Sequence, residues 1–447
     1  MSNRASFGSR LGAIAATVGS AVGLGNIWRF PYEAGENGGG AFIIVYIGCV
    51  LFLGIPVMLS EFIIGRGTHL NMRGALRMLS PKSKVHNVAY ICVAGAIVTL
   101  GFYSVVCGWV LEYLCLAMSG NLGGHTSAEF SVIFTSFISS PSKTMLLTMA
   151  FLCINFFVML GGVRKGVERT SSIMMPLLFL LLLIFSVNSL LLPNSGKGLE
   201  FLFDVDFSHL SWRGVVDAFG QAFMSLTLGI SGLVTFSSYF HDDSPLVRDA
   251  CTIASLDTLV ALLAGVVIFP AVFSFGMQPE SGPKLVFEVL PNIFQQMPCG
   301  YLWSVLFFVL LLFAALTSTI SLSEIPITFI SEEFKTSRKK STAIVAVFTV
   351  VIASLSALSF NVLSGVSVLN MGLFDFFNYL SSNFFMLLGG LFTAIYVGWI
   401  IDRKVIAAQL TNHGTIHVHV QWAVVFCLRF IAPVAVVVIF LYYLGLI

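Results

Sequence analysis

Eleven apolar runs follow one another along the chain, most of them twenty residues or longer, each ended by charged or Pro/Gly-rich residues. They lie at 10–34, 40–66, 87–119, 144–161, 166–192, 214–239, 249–276, 300–334, 342–359, 373–400 and 419–445. About 20 apolar residues in a helix cross the hydrocarbon layer of a bilayer. Within that layer the backbone must satisfy its own polar groups, which a helix does. The expected fold is therefore an all-α membrane protein of eleven transmembrane helices, with the lipid bilayer as its surroundings. Composition agrees: 10% of the 447 residues are charged, against about 25% in soluble domains. A net charge of +2 gives no basic surface for nucleic acid. The eight cysteines are scattered, without a CxxC pair, and nearly all sit in apolar runs. They read as small core residues rather than as disulfides or a metal site.

Basic residues give the orientation. Arg4 and Arg10 precede span 1; Arg66, Arg73, Arg77, Lys82 and Lys84 follow span 2; Arg164, Lys165 and Arg169 follow span 4. Arg248 follows span 6, Lys335, Arg338, Lys339 and Lys340 follow span 8, and Arg403 and Lys404 follow span 10. Seventeen of the 23 Lys and Arg thus fall on one side. This places the N-terminus in the cytoplasm and, after eleven crossings, the C-terminus outside a cell inner (plasma) membrane. No cleavage-site pattern precedes span 1, so it reads as a mature span rather than a signal peptide.

Spans 1 and 6 share a peculiarity. The first contains "GSAVGLGN" (19–26) and the sixth "SLTLGISG" (225–232), each a polar, glycine-bearing interruption in mid-membrane. Glycine also serves close helix packing, but two matched breaks five spans apart point to inverted repeats with a binding site between them. The expected organisation is a cytoplasmic N-terminal segment (1–9), a first repeat (10–192), an extracellular connection (193–213), a second repeat (214–400) and a helix 11 region (401–447). Unwound backbone frees carbonyls that suit a hard cation such as Na⁺, and half-helix N-termini that suit a carboxylate.

The residues around these breaks carry a resemblance. "RLGAIAATVGSAVGLGNIWRFPYEAGENGGGAF", "GIPVMLSEFIIGR", "GFYSVVCGW", "RKGVERTSSIMMP", "FGQAFMSLTLGISG", "FAALTSTISL" and "LFDFFNYLSSN" occur in order through spans 1 to 10. The chain resembles the neurotransmitter:sodium symporter family in its bacterial amino-acid transporter branch. Span 11 aligns loosely, and the twelfth span of many members is absent.

The resemblance implies two Na⁺ sites. One uses the carbonyl of Ala21 with Asn26, Ser225 and Asp257, completed by the substrate carboxylate. The other uses carbonyls of Gly19, Val22 and Ala314 with the hydroxyls of Thr317 and Ser318. The carboxylate of an amino-acid substrate would meet the N–H groups of Leu24 and Gly25 and the hydroxyl of Tyr103. Its ammonium would meet carbonyls of Ala21, Met224 and Ser225 and the hydroxyl of Thr227. Its side chain would face Thr99, Tyr103, Met224, Ile230, Ser318 and Leu322. Arg29 and Asp375 would form an outer gate, and Arg4 and Glu332 an inner one, with Glu where the family usually has Asp and Phe7 where many members have Trp. Glu61 matches a position that braces the first break. Glu112 and Glu324 have no role in this scheme beyond that of inward hydrogen-bonded carboxyls.

Departures from the pattern sharpen the reading. Asp257 supplies a fixed negative charge where many members have Asn, and Ala261, one turn later, can neither bind chloride nor replace it. Transport is expected to need no chloride, and Asp257 could take up a proton when Na⁺ leaves. Gly23 stands where monoamine carriers place an aspartate, so the cargo must bring its own carboxylate. Met224 and Ile230 make an aliphatic, adaptable pocket for a hydrophobic amino acid. Gly166 and Pro176 bracket "VERTSSIMM" in span 5 and favour local unwinding there.

The expected function is a Na⁺-coupled symporter that imports hydrophobic neutral α-amino acids by alternating access. A proton-coupled or exchange-type permease of the same fold is the alternative. An enzyme is disfavoured, because the eight histidines fall mainly in loops or at span ends. No feature of the sequence fixes an oligomeric state.

Overall fold

The computed structural model describes residues 6–276, 284–418 and 420–446. Helix occupies all eleven apolar runs. Among the described residues nine helices are long and apolar enough to cross a bilayer, and a bent pair makes a tenth. That pair is span 1, where Arg10–Ala21 and Gly25–Glu36 meet at 53°. Span 6 is shorter than a crossing helix in either part: Trp212–Ser225 and Gly232–Ser237 are separated by six unwound residues. The two mid-membrane breaks therefore lie where the glycine-bearing stretches put them. Outside the spans a two-residue hairpin pairs Ser367–Val368 with Met371–Gly372.

The first half of span 1 has a local reason to start where it does. Ser9 caps the first half by accepting from the Gly12 amide at 2.9 Å, which satisfies one of the free N–H groups of a helix start. The second half opens as a π-helix over Gly25–Arg29 and continues as an α-helix over Phe30–Glu36, with Pro31 at the junction. Between them Val22 is extended, and Asn26 Oδ1 accepts from the Gly23 amide at 3.1 Å.

The break in span 6 is conformationally more demanding. Thr227 (φ 53°), Gly229 (φ 86°) and Ser231 (φ 60°) all lie in the left-handed region. That region costs a non-glycine residue roughly 1–2 kcal/mol, so neighbours must hold it. The Thr227 hydroxyl donates to the Ser20 carbonyl at 2.9 Å, and the Gly229 amide donates to Glu61 Oε1 at 2.7 Å. Only glycine fits at 229, because a Cβ there would lie 1.9 Å from the Met386 carbonyl oxygen of span 10. Glu61 thus braces the second break and not the first as expected. Its position in span 2 sets its carboxylate against the unwound turn of span 6, where an amide lacks a helical acceptor.

Span 5 departs from expectation as well. Instead of unwinding between Gly166 and Pro176, it is a π-helix over Val163–Glu168 and an α-helix over Arg169–Leu190. Gly166 serves close packing: a Cβ there would sit 2.3 Å from the Val158 carbonyl of span 4.

Span 1 packs against spans 5, 7 and 8, and its N-terminal end is tied down by several elements. Glu168 accepts from the amides of Gly8 (2.8 Å) and Ser9 (3.2 Å). Arg10 pairs with Asp249 of span 7 at 2.6 Å. The Phe7 amide donates to the Tyr239 carbonyl, its ring is fully buried against Phe236, Tyr239 and Phe240, and Arg164 donates to the Ser6 carbonyl. Glu324 is buried as an ion pair with Arg338 (2.6 Å), with Tyr239 and Thr328 also donating to it, and Glu112 pairs with Lys143. Both carboxyls that had no role are structural counter-charges.

Candidate substrate and ion site

The breaks of spans 1 and 6 face each other at the centre of the molecule. Between them lies a cavity of about 50 Å³ whose walls come from spans 1, 3, 6, 8 and 10. Of the residues expected to touch a substrate, Ala21, Gly25, Thr99, Tyr103, Met224, Ser225, Thr227, Ile230, Ser318 and Leu322 line it. Leu24 does not. Its amide donates to the Tyr103 hydroxyl at 2.9 Å, and its side chain lines a second cavity above. A carboxylate would therefore have to take that amide from Tyr103. The Thr227 hydroxyl donates its hydrogen to Ser20, which leaves its oxygen free to accept from an ammonium.

Gly23 is packed tightly. A Cβ there would lie 2.6 Å from Ser318 Oγ and 3.1 Å from Tyr103 Oη. An aspartate at this position has no room while those hydroxyls keep their places.

Beside the cavity Asn26, Ser225 and Asp257 converge from three spans, all buried. Ser225 Oγ donates to Asp257 Oδ2 at 2.6 Å. Asn26 Nδ2 donates to Asp257 Oδ1 at 2.7 Å, to Ser225 Oγ at 2.8 Å and to the Asp257 carbonyl at 3.2 Å. The amide nitrogen sits among three oxygens, at the kind of point a small hard cation takes. Rotating the amide would present Oδ1 to that point at the cost of its bond from Gly23. Tyr46 adds a longer contact to Asp257 at 3.5 Å. Ala261 is fully buried and offers only a methyl.

A second cluster of oxygens lies across the first break. Ser318 Oγ donates to the Val22 carbonyl at 3.0 Å. Thr317 Oγ1 donates to the Phe313 and Ala314 carbonyls at 2.9 and 3.1 Å. Gly19 abuts Thr317, since a Cβ at 19 would lie 3.2 Å from the threonine Cβ. All five residues of the expected second ion site are thus brought together. The two hydroxyls are bonded to backbone, the usual habit of Ser and Thr in membrane helices.

The expected gates are placed differently. Arg29 and Asp375 both line the cavity of about 330 Å³ above the first, but they do not pair. Arg29 Nε instead pairs with Glu33 Oε1 at 3.2 Å, one turn on, and Nη1 reaches the Met224 sulfur. The i,i+4 carboxylate is nearer along the same helix than Asp375 across the opening. Glu332 accepts from the amide and side chain of Asn71 at 2.9 and 2.7 Å. Arg4 lies outside the described residues.

Several lining residues have no counterpart in the sequence reading: Ser20, Phe102, Ser381, Ser382 and Met386. The last three come from span 10, where a π-helix over Leu380–Phe385 widens the turn and brings Ser381 to Thr99 at 2.5 Å. Gly95 allows the approach, because a Cβ there would lie 2.7 Å from Phe385 Cβ. The signal available was the adjacent serine pair between Asn378 and Asn383 in span 10.

Comparison with known proteins gives a consistent picture. The profile of the Sodium:neurotransmitter symporter family matches residues 4–135 and 128–445. An uncharacterized sodium-dependent transporter of Bacillus subtilis (strain 168), YhdH, is 38% identical over 438 residues, covering 98% of this chain and 97% of that protein. The sodium-dependent serotonin transporter of Drosophila melanogaster is 28% identical over 376 residues, covering 74% of this chain and 60% of its own length. Among solved structures, MhsT in complex with L-phenylalanine superposes with a TM-score of 0.91 at 38% identity, covering all of both chains.

Proposed function

This chain belongs to the sodium:neurotransmitter symporter family, a family of membrane transporters rather than enzymes, and on that premise we propose that it imports hydrophobic neutral α-amino acids with two Na⁺, without chloride. The observation that carries the reading is the meeting of Asn26, Ser225 and Asp257 beside a cavity lined by both breaks. A cation held there sits against the site for the cargo's carboxylate, so each raises the affinity for the other. Thr317, Ser318 and the carbonyls of Gly19, Val22 and Ala314 hold the second ion. The solved relative with bound L-phenylalanine supports an amino-acid cargo.

The cargo's carboxylate is held by the Gly25 amide and Tyr103 hydroxyl, with Leu24 recruited from Tyr103. Met224, Ile230, Leu322 and Met386 receive an apolar side chain, and the Thr99–Ser381 hydroxyls receive a polar tip. Asp257 carries the balancing charge, so no chloride is called for beside Ala261. Ten of the eleven crossings form two inverted repeats (10–192 and 214–400) joined by 193–213, and the eleventh lies in 401–447. Residues 1–9 lie in the cytoplasm and the C-terminus outside the plasma membrane. Arg29 with Asp375 closes the outer opening once cargo is bound, and Arg4 with Glu332 closes the inner one.

The test is uptake of radiolabelled phenylalanine, leucine, methionine and tyrosine into proteoliposomes under an inward Na⁺ gradient, with gluconate replacing chloride in half the samples. Accumulation that needs Na⁺ and ignores chloride is expected. Full accumulation without Na⁺ overturns the symport reading, and strict chloride dependence overturns the role given to Asp257.

A further inference from the structure

Away from the transport pathway, a groove of about 560 Å³ runs between the helix Arg403–Leu410 and the start of span 11 (Gln421–Tyr443). Its walls are of two kinds. Arg403 and Arg429 stand on it, and Ile406, Trp422, Phe426 and Phe430 form its apolar floor. Trp422 is 74% exposed, and Phe426 and Phe430 are 49% exposed.

Arg429 is held in place by a joint between spans 10 and 11. Its Nε donates to the Gly398 carbonyl at 2.5 Å, and its guanidinium carbon lies 5.3 Å from the Trp399 ring. The Trp399 indole in turn donates to the Arg429 carbonyl at 3.1 Å. Gly398 permits this joint, since a Cβ there would lie 3.0 Å from the Leu428 carbonyl oxygen. The Trp399 ring meets Phe430 edge-on and the Phe426 ring lies tilted against it, with centroids 5.6 and 5.4 Å away. The fixing contacts engage Nε and the guanidinium plane; among the described residues neither Arg403 nor Arg429 forms an ion pair. Residues 402–429 carry three Lys or Arg against one carboxylate, Asp402, and Asp402 caps its own helix by accepting from the Lys404 amide.

Tryptophans at the end of one span and the start of the next mark the level of the lipid headgroups. A groove at that level with uncompensated cations above exposed aromatic side chains matches an amphipathic anion. We propose that this groove binds an anionic phospholipid, its phosphate at Arg403 and Arg429 and an acyl chain along Ile406, Phe426 and Phe430. The orientation given above puts the groove in the cytoplasmic leaflet, but the binding chemistry is independent of that orientation and of the transport reading.

Each arginine near an anionic headgroup contributes a preference of about fivefold, so two give roughly thirtyfold over a zwitterionic lipid. The test titrates the full-length protein in detergent with dioleoyl phosphatidylglycerol or dioleoyl phosphatidylcholine and counts retained lipids by native mass spectrometry. One phosphatidylglycerol should be retained at concentrations where phosphatidylcholine is not. Arg403→Gln should lower the preference by about fivefold, Arg403→Glu should lower it further, and Arg403→Lys should keep most of it. Arg403 is exposed in the first turn of its helix, and an unchanged melting temperature in these variants keeps the comparison clean. Inorganic phosphate at millimolar concentration should leave the lipid in place. Equal retention of the two lipids, an unaltered preference in Arg403→Glu, or displacement by phosphate alone would each overturn the proposal.

Discussion

Replacing Asp257 by asparagine removes one oxygen and one negative charge from the centre of the ion cluster while keeping the side-chain volume. The point now taken by the Asn26 amide nitrogen is 2.7 Å from Asp257 Oδ1 and 2.8 Å from Ser225 Oγ. A Na⁺ near that point has its charge centre about 4 Å or less from that of the carboxylate, and at an effective dielectric near 20 the attraction is about 4 kcal/mol, or three decades of affinity. The asparagine carbonyl dipole returns part of this. The Na⁺ concentration for half-maximal uptake should therefore rise on the order of 100-fold to 1000-fold. Uptake of labelled leucine into proteoliposomes, measured across Na⁺ concentrations at constant ionic strength, reads this directly. Because the missing charge can be supplied by a mobile anion, chloride should restore part of the loss in the variant while leaving the parent unaffected. An Asp257→Asn protein with unaltered Na⁺ dependence would refute the charge-balance argument, since a carboxylate at that distance from a bound cation cannot be silent.

Gly23→Ala sets a methyl 2.6 Å from Ser318 Oγ. Overpacking of about 1–3 kcal/mol should weaken cargo binding roughly 5-fold to 150-fold, measurable as displacement of labelled amino acid from the purified protein. Ser381→Ala removes the span-10 hydroxyl beside Thr99. It should lower the affinity for tyrosine relative to phenylalanine by about 1 kcal/mol, or roughly fivefold, in competition assays, and an unchanged ratio would place the ring elsewhere. Glu61→Ala leaves the buried Gly229 amide without its acceptor and should cost about 1–3 kcal/mol. Glu61→Gln keeps an oxygen at that place and should retain most of the melting temperature.

Much of this architecture was legible because hydrophobic length and glycine placement act locally. Every apolar run is helical, and both breaks fall inside the quoted stretches. What the chain did not reveal depends on the third dimension. Glu61 is adjacent in sequence to nothing that tells which break it serves; only packing of span 2 against span 6 decides that. Ser381 and Ser382 read as ordinary polar residues of a membrane helix, because a π turn has no strong sequence signature. Gly166 and Pro176 read as favouring unwinding in span 5, because nothing in the sequence shows that the Val158 carbonyl of span 4 lies against Gly166. Arg29 lines one cavity with both Glu33 and Asp375, and sequence alone does not say which it pairs with. The nearer, Glu33, takes it.

Gly25, Phe102, Tyr103 and Met224 face both the central cavity and the larger one above it, so a single layer of side chains separates the two. Moving one partly buried methionine aside disturbs few contacts, whereas coordinated release of packed segments takes microseconds to milliseconds. The other end of span 1 is fastened by Glu168, Asp249 and the Tyr239 carbonyl together, and these must let go in concert. On the transport reading proposed above, the slow step of the cycle should lie at the fastened end. More cargo on the thinly walled side should then fill the protein quickly without hastening its turnover, which uptake rates at rising cargo concentration would read.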